Sequence, residues 1–181
     1  MIIRIGKLIG ILLTLVAGMS VVLALPAHAS IAGPTWAHTP GHWGNVSVEN
    51  HTGVSWPVKA AVATWGNALH YRSCGTSNQC VKVFQKNQGN TGQIAITSQS
   101  WTQDAKGYKH FTPLTITINS YYNTRTTAAV RSQIVLHELG HALGLGHDTW
   151  KDVMNADGVH SYNVVSPQER EELRHIYGVA A

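Results

Sequence analysis

Residues 137–147 read HELGHALGLGH, and this stretch determines how the rest of the chain is interpreted. Each residue of an α-helix turns the direction of its side chain by about 100°, so His141 lies about 40° from His137 and one turn further along. Both imidazoles therefore face the same way and can hold one metal ion. Glu138 is turned about 100° from His137, which places its carboxylate beside the ion and not on it.

The third histidine of the stretch is brought to the metal by a glycine. A helix that continued past His141 would direct residue 147 elsewhere. Gly144 can adopt a positive φ, which ends the helix and lets the chain double back, so that His147 approaches the metal from outside. Three neutral histidines leave a tetrahedral Zn²⁺ with one open position for water, which is the catalytic pattern. We therefore predict that the three histidines hold one catalytic Zn²⁺ and that Glu138 is the base acting on its bound water.

The stretch resembles the motif of the metzincin clan of zinc endopeptidases, His-Glu-x-x-His-x-x-Gly-x-x-His, at every fixed position. Met154 lies where the clan has a methionine turn beneath the metal, and the resemblance gives it that supporting role without making it a ligand. The chain also looks matrixin-like, because residues 166–178 resemble the closing helix that ends in Ile-Tyr-Gly. Asp148, directly after the third histidine, is more usual in the adamalysin branch.

The resemblance implies a fold, a substrate class and a reaction. The fold is a metzincin-like zincin domain of the α/β (α+β) class, with a small mixed twisted sheet, an active-site helix and a C-terminal helix. The expected reaction is hydrolysis of peptide bonds in a protein or peptide that lies along an edge strand, here residues 94–98. Residues 155–162 would wall the primed-side specificity pocket. The matrixin segment for structural zinc and calcium has no match here, so the resemblance leaves the calcium requirement open.

The remaining pattern predicts one domain over residues 45–181. Strands are expected where apolar and polar residues alternate, namely at residues 46–49, 81–84, 94–97 and 114–118. Helices are expected where apolar stripes follow capping signals: one capped by Ser55 with a stripe reaching Leu69, one over residues 126–143, and one starting at the capping box of Ser166 and Glu169. The predicted active-site helix directs Val135, Leu139 and Leu143 away from the metal, towards the sheet.

Residues 1–29 have the order of a secretory signal peptide. A basic start and a mostly apolar run over residues 8–25 precede Ala-His-Ala, the small-x-small pattern of a cleavage site. An uncleaved membrane anchor is the alternative, since the apolar run approaches spanning length. Glycines dilute that run, so cleavage is favoured. We expect a secreted, extracellular protein without stable membrane association after cleavage, beginning with an irregular leader over residues 30–44.

Composition narrows the possible partners. The signal peptide carries two of the 13 Lys and Arg and none of the nine acids, so the mature charge is about +2, too small and scattered for a nucleic-acid partner. With 44% hydrophobic and 12% charged residues, the chain is globular. Export implies an oxidising compartment, so Cys74 and Cys80 are predicted to form a local disulfide. The sequence indicates no oligomeric state.

Three alternative functions are weighed against the endopeptidase. A zinc-dependent cell-wall peptide hydrolase or amidase would use the same ligands with a different groove, and the sequence leaves that alternative open. A zinc-binding module without catalysis would have little use for Glu138. Carbohydrate binding by the six tryptophans is less favoured, because Trp56 and Trp65 are expected in the core.

Overall fold

A computed structural model describes residues 34–36, 45–53, 55–156 and 162–177. The predicted signal peptide, most of the predicted leader and residues 157–161 lie outside the described residues. The strands are β1 Val46–His51, β2 Leu69–Tyr71, β3 Cys80–Lys86, β4 Ala95–Ser98, β5 Trp101–Gln103, β6 Lys109–Phe111 and β7 Leu114–Asn119. The helices are α1 Val58–Trp65, α2 Ala128–Ala142 and α3 Pro167–Tyr177, with two short 3₁₀ turns, Gly66–Ala68 and Ser120–Tyr122.

The main sheet has five strands in the order β2-β1-β3-β7-β4. The first four are parallel to one another, and β4 runs antiparallel to β7 at the edge. Val48, Val81 and Leu114 are neighbours across three strands and are buried, which marks the face that packs on the helices. Strands β5 and β6 form a separate hairpin. The expectation of a small mixed sheet in an α/β domain is confirmed.

The four predicted strands are present as β1, β3, β4 and β7, and each is displaced or extended by one to three residues. Strands β2, β5 and β6 were not predicted. Each has three residues, which is too short for alternation to be recognised. The predicted disulfide is confirmed: Cys74 and Cys80 are bonded, with their Cα atoms 5.5 Å apart.

Helix α1 is shorter than predicted. The residue at its N-cap position is Pro57, without a side-chain cap, so the expectation that Ser55 caps it is wrong. The helix ends at Gly66, whose φ of 66° lies in the left-handed region. Leu69 was predicted to extend the helical stripe, but it begins β2. The other stripe residues are buried, namely Val58, Val62 and Trp65, as is Trp56 before the helix.

Helix α2 begins at Ala128, two residues after the predicted start, and α3 begins where its capping box predicts. Thr127 caps α2 by accepting a hydrogen bond from Val130 N at 3.2 Å. At α3, Ser166 Oγ accepts from Glu169 N and Glu169 Oε2 accepts from Ser166 N, which is the predicted capping box. The residues of α2 and its C-cap that were expected to face the sheet are buried, namely Val135, Leu139 and Leu143. Among the described residues, no helix has the length and apolar character needed to cross a bilayer.

Candidate metal centre

The three predicted zinc ligands converge on one point. His147 Nε2 lies 3.1 Å from His137 Nε2 and 3.1 Å from His141 Nε2. Nitrogens at this spacing fit around one ion at the usual Zn–N distance of about 2.0–2.1 Å. The structure therefore brings together the three histidines that the sequence pattern of residues 137–147 predicts to lie close to one another.

Backbone carbonyls determine which ring nitrogens are free. His137 Nδ1 lies 2.7 Å from Val153 O, and His141 Nδ1 lies 2.9 Å from Leu145 O. A carbonyl oxygen only accepts, so both Nδ1 atoms carry the proton and donate it. The Nε2 atoms of His137 and His141 are then unprotonated, and their lone pairs are free on the side where His147 lies. This donor set suits a cation, since the outer hydrogen bonds fix the ring orientation that metal-binding histidines need.

Burial also keeps the imidazoles in the form that binds metal. It lowers the pKa of His137 to about 4, helped by the nearby charges that His141 and His147 would carry. Burial lowers the pKa of His141 and of His147 as well. All three rings are therefore neutral at neutral pH, as zinc coordination requires.

Gly144 turns the chain in the way the sequence predicts. Its φ is 96°, and a Cβ there would also lie 3.3 Å from Pro34 O. Leu145 N donates to Gly140 O and Gly144 N donates to His141 O, the two hydrogen bonds of a Schellman motif. The last carbonyls of α2 are satisfied further by Trp36 Nε1, which donates to Ala142 O. This hydrogen-bonded helix end determines where the chain turns back, so that His147 approaches the other two histidines.

Glu138 is buried beside the histidines and is held by strand β4. Thr97 Oγ1 lies 2.5 Å from Glu138 Oε2 and 3.0 Å from Glu138 O. Burial raises the pKa of Glu138, and the hydrogen bond from Thr97 acts in the opposite direction. A carboxylate with a raised pKa is a better proton acceptor near neutral pH. Glu138 is thus a buried carboxyl group with a raised pKa, and it lines the same cavity as His137 and His147.

Met154 packs directly beneath α2. It is fully buried, and a Cβ added to Gly140 would lie 2.3 Å from its sulfur. A side chain at residue 140 would therefore force the Met154 sulfur to move away from the helix. The preceding residue, Val153, supplies the carbonyl that holds His137. Met154 therefore lies against α2 next to the residue whose carbonyl holds His137, and its role as a methionine turn stays a prediction.

A cluster of buried acids lies behind the methionine, and we call it the acid cluster: Asp148, Asp152 and Glu169. Glu169 Oε1 accepts from Met154 N at 2.8 Å, so α3 holds the methionine segment in place. Burial, followed by the charge of Asp152, raises the pKa of Asp148 to about 6. Burial raises the pKa of Glu169 to about 7, with a further contribution from the charge of Asp152.

A cavity of about 240 Å³ opens beside the histidines. Its wall combines residues 92–95, which lead into β4, with part of α2 and with Asn155 and Ala156. Asn155 and Ala156 belong to the segment expected to wall a specificity pocket, and the rest of that segment to residue 161 lies outside the described residues. The α2 residues that line the cavity are Gln133, Ile134, His137 and Glu138.

Sequence reasoning missed three features of this centre: the contact of Thr97 with Glu138, the hydrogen bond from Gln99 Nε2 to His141 O at 3.1 Å, and the bond of Glu169 to Met154. Alternation in residues 94–98 indicates that Thr97 and Ile96 face opposite sides. No local signal says that this strand crosses α2 at Glu138. Glu169 was expected only to cap its own helix, which it does through Oε2, while its Oε1 accepts the hydrogen bond from Met154 N.

No protein-family model and no curated protein matches this sequence. The resemblance to metzincins therefore depends on the sequence alone: the motif of residues 137–147, the position of Met154 and the closing segment of residues 166–178.

Proposed function

We propose that this chain is a secreted, zinc-dependent endopeptidase of the metzincin type. One observation supports this most directly: the Nε2 atoms of His137 and His141 each lie 3.1 Å from His147 Nε2, and the buried carboxylate of Glu138 lines the same cavity. A metal-binding module would need only the imidazoles. The carboxylate beside them, turned away from the ligand direction, is what hydrolysis needs.

The residues present fit zinc as the resident cofactor. His137, His141 and His147 would hold the ion and leave a position open. When bound, zinc supplies Lewis-acid chemistry, which polarises a peptide carbonyl and lowers the pKa of water. The hydrogen bonds from the Nδ1 atoms to Val153 O and Leu145 O keep two of the rings aimed at that position.

Glu138 moves the proton in the proposed reaction. Its carboxylate takes a proton from the attacking water as the water oxygen bonds to the scissile carbonyl carbon. It then passes that proton to the amine nitrogen as the carbon–nitrogen bond breaks, so that one water is consumed per peptide bond. Thr97 orients the carboxylate by donating to Oε2, which leaves Oε1 for the water.

The substrate would lie along strand β4. This strand is at the edge of the five-stranded sheet and pairs with β7 on one side. An extended peptide can therefore add to its other side through backbone hydrogen bonds. Because Thr97 of the same strand contacts Glu138, a peptide bound there passes the candidate base. This supports a peptide substrate over a small molecule.

Secretion is part of the proposal. The pattern of residues 1–29 predicts it, and the Cys74–Cys80 disulfide is consistent with an oxidising compartment.

Replacement of Glu138 by Gln tests the proposal, because it keeps the shape of the side chain and removes the basic carboxylate. Zinc content should stay near one ion per chain, while the rate of peptide hydrolysis falls at least ~10²-fold. Glu171→Gln is the matched control, since Glu171 is an exposed residue of α3 far from the histidines in sequence, and it should keep full activity. Metal content and turnover are measured on the same purified samples.

Unchanged turnover in Glu138→Gln would overturn the mechanism, and loss of zinc would mean that Glu138 is a ligand or a structural support. Casein and purified cell wall are compared as substrates in the same assay. Release of fragments from cell wall alone would replace the endopeptidase with the amidase alternative.

A further inference from the structure

The hairpin of β5 and β6 follows the edge strand β4 directly and is open to solvent. Only Gln99 and Ser100 separate β4 from β5, and every residue from 98 to 109 is exposed. The start of the hairpin is nevertheless held beside the histidines, because Gln99 Nε2 donates a hydrogen bond to His141 O at 3.1 Å. The hairpin therefore has a defined position at the end of the strand along which the substrate would lie.

One face of the hairpin combines an aromatic ring with a positive charge. Trp101 is opposite Phe111 in the antiparallel ladder, and Lys109 lies two residues before Phe111 on β6. Side chains that are opposite each other, or two residues apart on one strand, lie on the same face. The Lys109 ammonium is 4.3 Å from the centre of the Trp101 ring. Trp101 is 46% exposed and Lys109 is exposed as well, so a partner can reach both side chains.

The same face is anchored on the end of α2. Phe111 is buried, and a Cβ added to Gly144 would lie 3.8 Å from its ring. Gly144 is the residue at which the chain turns back towards His147. The face that begins at Phe111 on the helix end therefore continues outwards through Trp101 and Lys109, from the candidate metal centre into solvent.

The acidic side chain of the hairpin lies on the opposite face and is already engaged. Asp104 N donates to Tyr108 O, and Asp104 Oδ1 accepts from the backbone N–H groups of Lys106 and Tyr108. Asp104 Oδ2 lies 3.1 Å from His110 Nε2. Because side chains alternate along a strand, His110 and its partner Asp104 point away from the face of Lys109. The hairpin's own acid therefore does not neutralise Lys109.

We propose that Trp101 and Lys109 bind an acidic side chain of the polypeptide substrate, about four residues from the cleaved bond. Thr97 contacts the candidate base Glu138. Trp101 follows Thr97 by four residues, which corresponds to at most about 14 Å of extended chain, and an extended substrate covers that distance in the same number of residues. A glutamate there can pair its carboxylate with Lys109 while its methylene groups contact the Trp101 ring.

Charge and position favour an acidic polypeptide segment over a sugar chain at this surface. The Lys109 ammonium attracts a carboxylate, whereas a neutral sugar gains nothing from its charge. The ammonium also lies over the Trp101 ring, where it competes with a sugar that would stack on that face. The surface continues from β4, so the same bound peptide can reach both. The inference rests on the proposed endopeptidase activity and adds a substrate class to it.

The test compares extended fluorogenic peptides that differ in one side chain. Glutamate, glutamine or lysine is placed three, four or five residues before or after the cleaved bond. At one of these positions, the zinc-loaded wild type should cleave the Glu peptide about two- to fivefold better than the Gln peptide, as an exposed ion pair allows. The gain should appear in KM and not in kcat, because the contact is remote from the reacting atoms. It should shrink as salt is added.

Variants of the hairpin assign this preference. Lys109→Glu should make the Lys peptide the best of the three, and Trp101→Ala should reduce the preference for Glu. Lys59→Glu is the control with the same change of charge, since exposed Lys59 lies on α1 beside β2, at the opposite edge of the sheet from β4. Tyr108→Ala removes an exposed aromatic ring from the other face of the hairpin. Both controls should keep the wild-type ratio of Glu to Gln cleavage.

Binding without cleavage is measured in parallel on the zinc-loaded Glu138→Gln protein. Fluorescence anisotropy gives Kd for the same peptides, and the Glu peptide should bind more tightly than the Gln peptide by the same factor as in KM. Addition of Lys109→Glu to this protein should reverse the order of the Glu and Lys peptides.

The outcomes separate this inference from the proposed function. If the zinc-loaded wild type cleaves none of the peptides, the proposed function fails, and the order of Kd values still decides whether the hairpin binds an acidic chain. If peptides are cleaved without a preference for Glu, or if Lys59→Glu changes the preference as much as Lys109→Glu does, the hairpin assignment fails while the endopeptidase stands. If Trp101→Ala keeps the preference for Glu but no longer binds purified cell wall, the surface binds sugars and the inference is overturned. Should Trp101→Ala not fold, Lys109→Glu still decides the matter.

Discussion

The three histidines and the acid cluster both make hydrogen bonds to the backbone of residues 153–154. They differ in whether the atoms that could bind a metal are left free. In each group, the candidate ligand atoms lie within 4.8 Å of one another. The histidines turn their Nδ1 atoms to backbone carbonyls and leave Nε2 free towards a shared point. In the acid cluster, both oxygens of Glu169 and one of Asp148 accept backbone hydrogen bonds.

The difference shows that proximity of ligand atoms does not by itself make a metal site. The lone pairs also have to be free and to point at one position. By that criterion, the histidines are a candidate zinc site, and the acid cluster is a support that ties His147, Met154 and α3 together. Burial has opposite effects on the two groups: it lowers the pKa of the bases and raises that of the acids.

The largest expected effect is loss of the metal from the histidine group. His147→Ala removes one of three ligands, so stoichiometric zinc and nearly all activity should disappear. Asp152→Asn changes the acid cluster by one charge and should keep about one zinc per chain. Exposed His70 on β2 provides the matched control, His70→Ala, which should resemble the wild type. Metal analysis after gel filtration measures all three. Zinc retained by His147→Ala, or lost from Asp152→Asn, would reverse the roles assigned to the two groups.

A smaller effect is expected where Met154 connects the two groups. Gly140→Ala places a Cβ against the Met154 sulfur and should lower the free energy of unfolding by about 1–3 kcal/mol, the usual cost of overpacking a core. Helix propensity alone would make alanine stabilising there, so the sign of the change is informative.

The double variant Gly140→Ala with Met154→Ala separates the contact from other effects. If the contact is the cause, Gly140→Ala should cost less in the Met154→Ala background than in the wild type. Urea denaturation of the four proteins gives the coupling. An equal loss of unfolding free energy in both backgrounds would show that contact with the Met154 sulfur is not what makes alanine at position 140 destabilising.

The extent to which sequence determined this site depends on the range of each interaction. The directions of His137, His141 and Glu138 follow from helical periodicity, and the turn at Gly144 follows from one residue's conformational freedom. Those features are local and were predicted. The positions of Thr97 and Gln133 around the cavity depend on which strand crosses α2, and that is decided by packing of residues distant in the chain. The fold gives a second example of a local pattern that is overruled. The spacing of Leu69 fits the apolar stripe of α1, but the helix ends at Gly66 and Leu69 begins β2.

The smallest expected effect is on the pH dependence of stability of the zinc-free protein, where the two groups should oppose each other. The folded-state pKa of His137 is about 4, against an ordinary value of 6.5, so between these values the unfolded chain binds more protons. The free energy of unfolding should therefore fall as pH decreases through that window. The folded-state pKa of Glu169 is about 7, against 4.5, so the folded chain holds a proton that the unfolded chain releases. This contribution is fully present below pH 4.5 and is lost as pH rises to about 7.

Both windows include pH 4.5 to 6.5, so the two slopes partly cancel in the wild type. Glu169→Gln removes the acid term, and the stability of this variant should rise with pH more steeply than that of the wild type. His137→Asn removes the contribution of His137, and the stability of this variant should rise with pH less steeply than that of the wild type. Each difference should amount to about 1 kcal/mol across the window after allowance for solvent screening. Urea denaturation at several pH values, with a chelator present, measures both slopes. If the free energy of unfolding depends on pH in the same way in both variants, the two groups do not act in opposite directions. The contrast between the histidines and the buried acids would then be wrong.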